Sequence, residues 1–249
     1  MLIIISVLLS LLIATGCSSD KKPNDIQEIE IEKASRGTVP TVDVTNRTLE
    51  YFYYIPSDSV GVLPKPVLII VPGLDGSGKP FVLGRWRKFA QASGFAIVSP
   101  TFRYNEKDYK IGKSYQFPAV WSGQAMLDIL DSVDKTHPLD KYSLYLFGHS
   151  AGAQFVHRFA LLNPERCKAV AAHAPGGVTM PEKWVPVNFF ITDGQNDAGR
   201  LERARNFTVS CKTLNISADL KEYPGVGHEL CSDAIQKSFE FFIRVKSQK

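Results

Sequence analysis

The stretch YSLYLFGHSAGAQFVHRFALLNP, residues 142–164, decides how this chain is read. It begins with an aromatic and apolar run of strand character and ends in a segment of helical periodicity. Between them Gly148-His149-Ser150-Ala151-Gly152 has the form G-x-S-x-G, in the strand–turn–helix context that such a motif needs. A serine hydroxyl is a poor nucleophile in water. A sharp turn that lifts it above a sheet leaves it free to meet a base from another loop. Glycines at 148 and 152 permit the turn, since a side chain at either would collide with the neighbouring strand or helix. The helix that follows points its first amides at charge developing on a reacting group. An ordinary glycine-rich turn is the competing reading, and the flanking strand and helix favour Ser150 as a nucleophile.

Outward from this point, apolar runs bounded by Gly and Pro alternate with helical segments. Strands are expected at TLEYFYYI (48–55), PVLIIV (66–71), FAIVS (95–99), YSLYLF (142–147), KAVAAH (168–173), VNFFIT (187–192) and DLKEY (219–223). Helices are expected near 80–92, 116–135, 150–163, 200–212 and 232–246. This is the pattern of an α/β fold with a mostly parallel central sheet covered by helices on both faces. In such sheets the loops at the carboxyl ends of the strands form the site. One domain is expected over residues 47–249, because 249 residues with 44% hydrophobic content build one sizeable core.

The order of these segments resembles the α/β-hydrolase superfamily, and FGHSAGAQFVHRFALLNPERCKAVAAHAPG is similar to the elbow, helix and next strand of its secreted esterases and depolymerase-like hydrolases. The resemblance implies a serine esterase working through an acyl-enzyme. Peptidase, amidase and thioesterase activities use the same machinery and stay open, as does a binding protein that keeps the fold without turnover. It further implies a late histidine after the last strand, and LKEYPGVGHEL supplies His228. His173, at the end of another strand, is the only rival. The acid is expected after VNFFIT. The spacing of Gly194-Gln195-Asn196-Asp197 matches the family and favours Asp197, with Asp193 as the alternative, since a carboxylate at a strand end often bonds its own turn. The oxyanion hole is expected from the backbone N–H groups of Ala151 and Leu74. The short connection APGGVTMPEKWVP (174–186) leaves no room for a large cap, so an open cleft is expected, with Phe102, Met180 and Trp184 as possible lining.

The loop Gly73 to Lys79, GLDGSGK, also matches a phosphate-binding loop up to its last position, but Pro80 replaces the hydroxyl residue and removes a backbone N–H. No cofactor motif or metal cluster is visible. The net charge of +4 is scattered, without the basic–aromatic interleaving of a nucleic-acid surface. Residues 1–16, MLIIISVLLSLLIATG, read as an export signal, and Ala14-Thr15-Gly16-Cys17 resembles the bacterial lipobox. Cys17 would then be lipidated and residues 17–46 would form a spacer, holding the protein on a cell-envelope membrane. Of the other cysteines, Cys211 and Cys231 are the expected pair, with Cys167 packed as a small buried hydrophobe.

Overall fold

The computed structural model describes residues 33–40, 48–57, 64–74 and 76–248. Cys17, the signal segment and most of the expected spacer lie outside them. Eight strands form one sheet in the order β1-β2-β4-β3-β5-β6-β7-β8. They are β1 (Ser35–Pro40), β2 (Thr48–Tyr54), β3 (Lys65–Val71), β4 (Ala96–Pro100), β5 (Leu139–His149), β6 (Cys167–His173), β7 (Asn188–Gly194) and β8 (Ala218–Tyr223). From β4 to β8 all neighbours are parallel, whereas β1 and β2 are antiparallel additions at one edge.

The parallel strands are nearly all apolar because both of their faces are covered. Successive side chains point to opposite faces. Val67, Ile69, Leu144, Leu146, Val170 and Phe189 therefore enter one core, which they share with α3 (Ser122–Asp134), α4 (Ala151–Leu162) and α5 (Ala198–Thr213). Their chain neighbours Leu68, Ile70, Tyr145, Phe147, Ala169 and Phe190 enter the other, beneath α1 (Gly84–Ser93) and α6 (Ser232–Ser247). Trp86 of α1 packs edge-on against both Phe147 and Phe239, at 4.7 and 5.0 Å between ring centroids, and so ties helix, sheet and α6 together.

The expected strands and five helical regions are present, with differences that have local causes. The segment 116–135 becomes helical only at Ser122, because Gly123 N–H bonds back to Pro118 O and holds the preceding residues in turns. A short helix α2 (Glu106–Lys110) is added, capped by the Asn105 side chain, which accepts from the N–H groups of Lys107 and Asp108. The sheet starts at Ser35, inside the range read as spacer: Val39 is buried and pairs with Leu49 of β2, which anchors an otherwise polar strand. Glycines 73–78 do not open a helix. They lead into a 3₁₀ turn, Lys79–Val82, with Pro80 in its first turn and Lys79 exposed, a poor cradle for phosphate.

The expected Cys211–Cys231 disulfide is absent, and all three described cysteines are free. Cys211 is fully buried on the core side of α5, whereas Cys231 is the residue before α6, at the carboxyl edge of the sheet beside Asp193 and Tyr223. Phe102 is likewise a core residue, 1% exposed and stacked on Tyr115 at 5.0 Å, and not part of a pocket lining. No helix among the described residues is long and apolar enough to cross a membrane.

Residues 174–187, between β6 and β7, contain no helix or strand, so no cap covers the carboxyl edge there. Among the described glycines the tightest approach is at Gly152, where an added Cβ would stand 2.0 Å from Val71 O. Gly84, by contrast, has a positive φ of 53° and open space around it. Gly84→Ala should therefore cost only the local backbone strain, about 1–2 kcal/mol. Gly152→Ala forces β3 and α4 apart and should cost more than about 3 kcal/mol. Urea denaturation of both variants checks the ranking.

Candidate active site

Ser150 sits between the end of β5 and the start of α4 with φ 55° and ψ −115°. Few residues other than glycine adopt such a conformation, which costs about 1–3 kcal/mol and persists only where the surroundings enforce it. The enforcement is visible. Ser150 N–H donates to His173 O at 2.8 Å, and Gln154 N–H donates to Ser150 O at 3.1 Å as α4 begins. A Cβ at Gly148 would stand 2.4 Å from Gly152 O, so both glycines of the motif are required by the backbone that doubles back here. The serine side chain is left at the rim of the sheet.

The loop after β8 brings His228 to it. His228 Nε2 lies 2.8 Å from Ser150 Oγ, with the hydroxyl as donor to the neutral ring. On its other side Nδ1 lies 3.2 Å from Asp197 Oδ2, close enough for ion pairing and short of a well-aligned hydrogen bond. Burial first, and then the positive charge of Arg200, hold the His228 pKa below the ordinary 6.5, against the opposing pull of Asp197 and Glu229. The ring is thus neutral at neutral pH, the state in which it can accept a proton.

Asp197 occupies the position before α5 but does not cap that helix. Its carboxylate is turned instead toward His228 and toward Arg200, whose Nη1 donates to Oδ1 at 3.2 Å and to Oδ2 at 2.9 Å. Asp193 is differently placed. It is 2% exposed, its Oδ1 accepts from the N–H of Gly194 at 2.9 Å, and its Oδ2 has no partner. Burial, and next the neighbouring Asp197, push its pKa up to about 7. A half-protonated carboxyl bonded to its own turn is a poor orienter of a base.

The loops that carry Asp197 and His228 are joined directly. Asn196 N–H donates to Val226 O and Gln195 N–H to Tyr223 O, at 2.9 and 3.0 Å. Gly194 has no space for a side chain, since a Cβ there would meet Val226 O at 2.2 Å. His173 is excluded from the site. Its Nε2 bonds Ser238 Oγ at 2.9 Å and its Nδ1 bonds Thr192 Oγ1 at 2.5 Å, and burial lowers its pKa to about 3. Because the Ser238 hydroxyl is given to Ala234 O, the ring must donate from Nε2 and accept at Nδ1. His157 is a second buried neutral histidine, bonded to Ala153 O and to the Thr179 N–H.

Three supporting residues were not singled out in the sequence. His149, inside the motif, donates from Nε2 to the backbone carbonyl of His228 at 2.9 Å, with the two rings 5.1 Å apart. It ties the base loop to the elbow. Tyr115 donates its hydroxyl to Gly73 O at 3.2 Å and so pins the loop that carries Leu74. A Cβ on Gly73 would lie 3.8 Å from that of Ser150, which sets how near the loop passes. Arg200 is the third. Each of these contacts joins segments remote in sequence or depends on a rotamer, and leaves no motif behind. No group of three or more metal-binding side chains occurs among the described residues.

The described family "alpha/beta hydrolase fold" matches residues 66–230 of the chain. No curated protein matches. Among solved structures, a ferulic acid esterase shares 15% identity over 86% of this chain and 98% of its own, with a TM-score of 0.65. A ferulic acid esterase from the anaerobic fungus Anaeromyces mucronatus shares 18% identity over 89% and 92%, also with a TM-score of 0.65. The S-formylglutathione hydrolase of Staphylococcus aureus shares 16% over 85% and 100%, with a TM-score of 0.63. These identities establish likeness of fold. With more than half of its length matched, and with the strand order and elbow described above, the chain belongs to the α/β-hydrolase fold family.

Proposed function

We propose that the protein is a serine hydrolase that cleaves carboxylic esters, with Ser150 as nucleophile, His228 as base and Asp197 as the acid that orients it. One observation carries this reading: a serine at positive φ with its Oγ 2.8 Å from a neutral imidazole whose far nitrogen faces a carboxylate at 3.2 Å. Ester specificity draws support from the ferulic acid esterases and the S-formylglutathione hydrolase of similar fold.

The steps follow from the arrangement. As Ser150 Oγ attacks the ester carbonyl, its proton passes to His228 Nε2, and the imidazolium is stabilised by Asp197. The tetrahedral oxyanion is received by the N–H of Ala151, in the first turn of α4, where amides lack helical partners, and by the N–H of Leu74. His228 then returns the proton to the departing alcohol. Water, deprotonated by the same ring, releases the acid from Ser150.

Ser150→Ala should abolish turnover and labelling by a fluorophosphonate. Asp197→Asn should slow hydrolysis by about 10⁴-fold, far more than Asp193→Asn. The reverse ranking, read from p-nitrophenyl acetate kinetics, would transfer the role to Asp193.

The pH profile follows from the lowered pKa of His228. kcat/KM rises as the ring loses its proton, so the midpoint of the acid limb should lie below 6.5. Arg200 is a cause of the lowering, so Arg200→Gln should move that midpoint to higher pH. A midpoint unchanged or lowered in the variant would remove Arg200 from the account.

With no cap between β6 and β7, an acyl chain gains little burial beyond the cleft, well short of the ~0.8 kcal/mol per methylene of full burial. Rates on p-nitrophenyl esters from acetate to palmitate should therefore favour short chains and show no jump at the critical micelle concentration.

The lipobox resemblance supports attachment to a cell-envelope membrane through Cys17. Cys17→Ser should then lose palmitate label and leave the membrane fraction.

A further inference from the structure

A cavity of about 420 Å³ lies along the outer side of α4, between the 117–119 turn and the 179–185 connection. Phe117, Leu161, Leu162, Met180 and Val185 give it apolar walls, and Arg158 enters among them. Such a volume suits a small molecule. Arg158 is eight residues from Ser150, about 12 Å along the helix at 1.5 Å per residue. None of Ser150, Asp197, His228, Ala151 or Leu74 lines the cavity, which is separate from the catalytic serine.

The guanidinium here is partly buried without a counter-ion. Its Nε donates to Thr179 Oγ1 at 3.1 Å, and its Nη1 donates to Gln116 O at 2.8 Å and to Gln154 Oε1 at 3.4 Å, all neutral acceptors. Its plane lies over the Phe117 ring, 4.7 Å from the centroid. These contacts fix the head group in one orientation and leave its charge uncompensated. Glu182 and Lys183 stand exposed at the rim, and no carboxylate among the described residues forms an ion pair with Arg158. Burial accordingly lowers the Arg158 pKa from its usual value. Nη2 makes no hydrogen bond among the described residues, and Gly177 passes beside it, a Cβ there standing 3.4 Å away in ordinary contact. A positive group held in place by neutral partners inside an apolar recess gains most from an anion that brings its own apolar body. Leu162 and Met180, 53% and 40% exposed, offer such a body a surface that the protein itself does not cover.

We infer that this cavity is a binding site for a small organic acid, a single carboxylate on an aromatic or short aliphatic body. The carboxylate bonds Nη2 of Arg158, since both hydrogens of Nη1 are already given to Gln116 O and Gln154 Oε1, and the body lies against Leu161, Leu162, Met180 and Val185. The site is separate from Ser150, so the comparison of acid with amide and the affinities of the Arg158→Gln and Leu162→Asp proteins do not depend on the esterase reading; only the hydrolysis control and the blocking of Ser150 rest on it.

Isothermal titration of the full chain with 3-phenylpropanoate, and with 3-phenylpropanamide as the uncharged counterpart, tests it. The acid should bind at least about tenfold more tightly than the amide. Arg158→Gln should lose that preference. Leu162→Asp, at an exposed position that leaves folding intact, should weaken the acid by at least about tenfold while hydrolysis of p-nitrophenyl acetate is unchanged. Protein first blocked at Ser150 by a fluorophosphonate should bind the acid as before. Equal binding of acid and amide, unchanged affinity in the Leu162→Asp protein, or loss of binding on blocking Ser150 would each overturn the proposal, the last by placing the acid in the catalytic cleft.

Discussion

The backbone at Ser150 is the constraint on which the rest of the site depends. A chain leaving the centre of a parallel sheet must reverse into α4 within a residue or two, and it does so with Ser150 at φ 55°. That reversal brings Gly148 against Gly152 and Gly152 against Val71, at separations that exclude any side chain. Strain at one residue is thus held by close packing at two others. The reward is a hydroxyl that needs no rearrangement to meet its base, since the geometry is set before any substrate arrives.

His228 and Asp197 are fixed in turn by contacts of a different kind. His149 grips the backbone of His228, the β7 and β8 loops share hydrogen bonds, and Arg200 occupies both oxygens of Asp197. Arg200 has two opposed effects. It fixes the carboxylate, and its charge weakens the electrostatic support that Asp197 gives to a protonated His228. The imidazole is thereby kept ready to receive a proton, with the carboxylate held close for the moment when it does.

Much of this was legible in the sequence because close packing leaves a signature. Glycines at 148 and 152 around a serine are dictated by sterics, and continuous apolar strands are dictated by a sheet covered on both faces. The residues Ser150, Asp197 and His228, identified through motif spacing and resemblance, are brought together in space. What was missed lacks such a signature. In β1 only Val39 is buried, too little for a periodic pattern, and α2 is a single capped turn. The mistaken pairing of Cys211 with Cys231 came from counting thiols without knowing that one faces the core from α5 and the other immediately precedes α6. His149, Tyr115 and Arg200 act through a carbonyl or carboxylate whose position only the fold supplies.

The strand order places Ser150 and His228 in regions of unequal robustness. β5, which delivers Ser150, is flanked on both sides by paired strands, whereas β8, which leads to His228, is the outermost strand among the described residues and pairs there with β7 alone. Edge elements separate from a folded protein at lower free energy than central ones. Warming should therefore loosen the loop that carries His228 while the central sheet is still intact. Reinforcing β8, rather than the core, should then best delay the separation of His228 from Ser150 on heating.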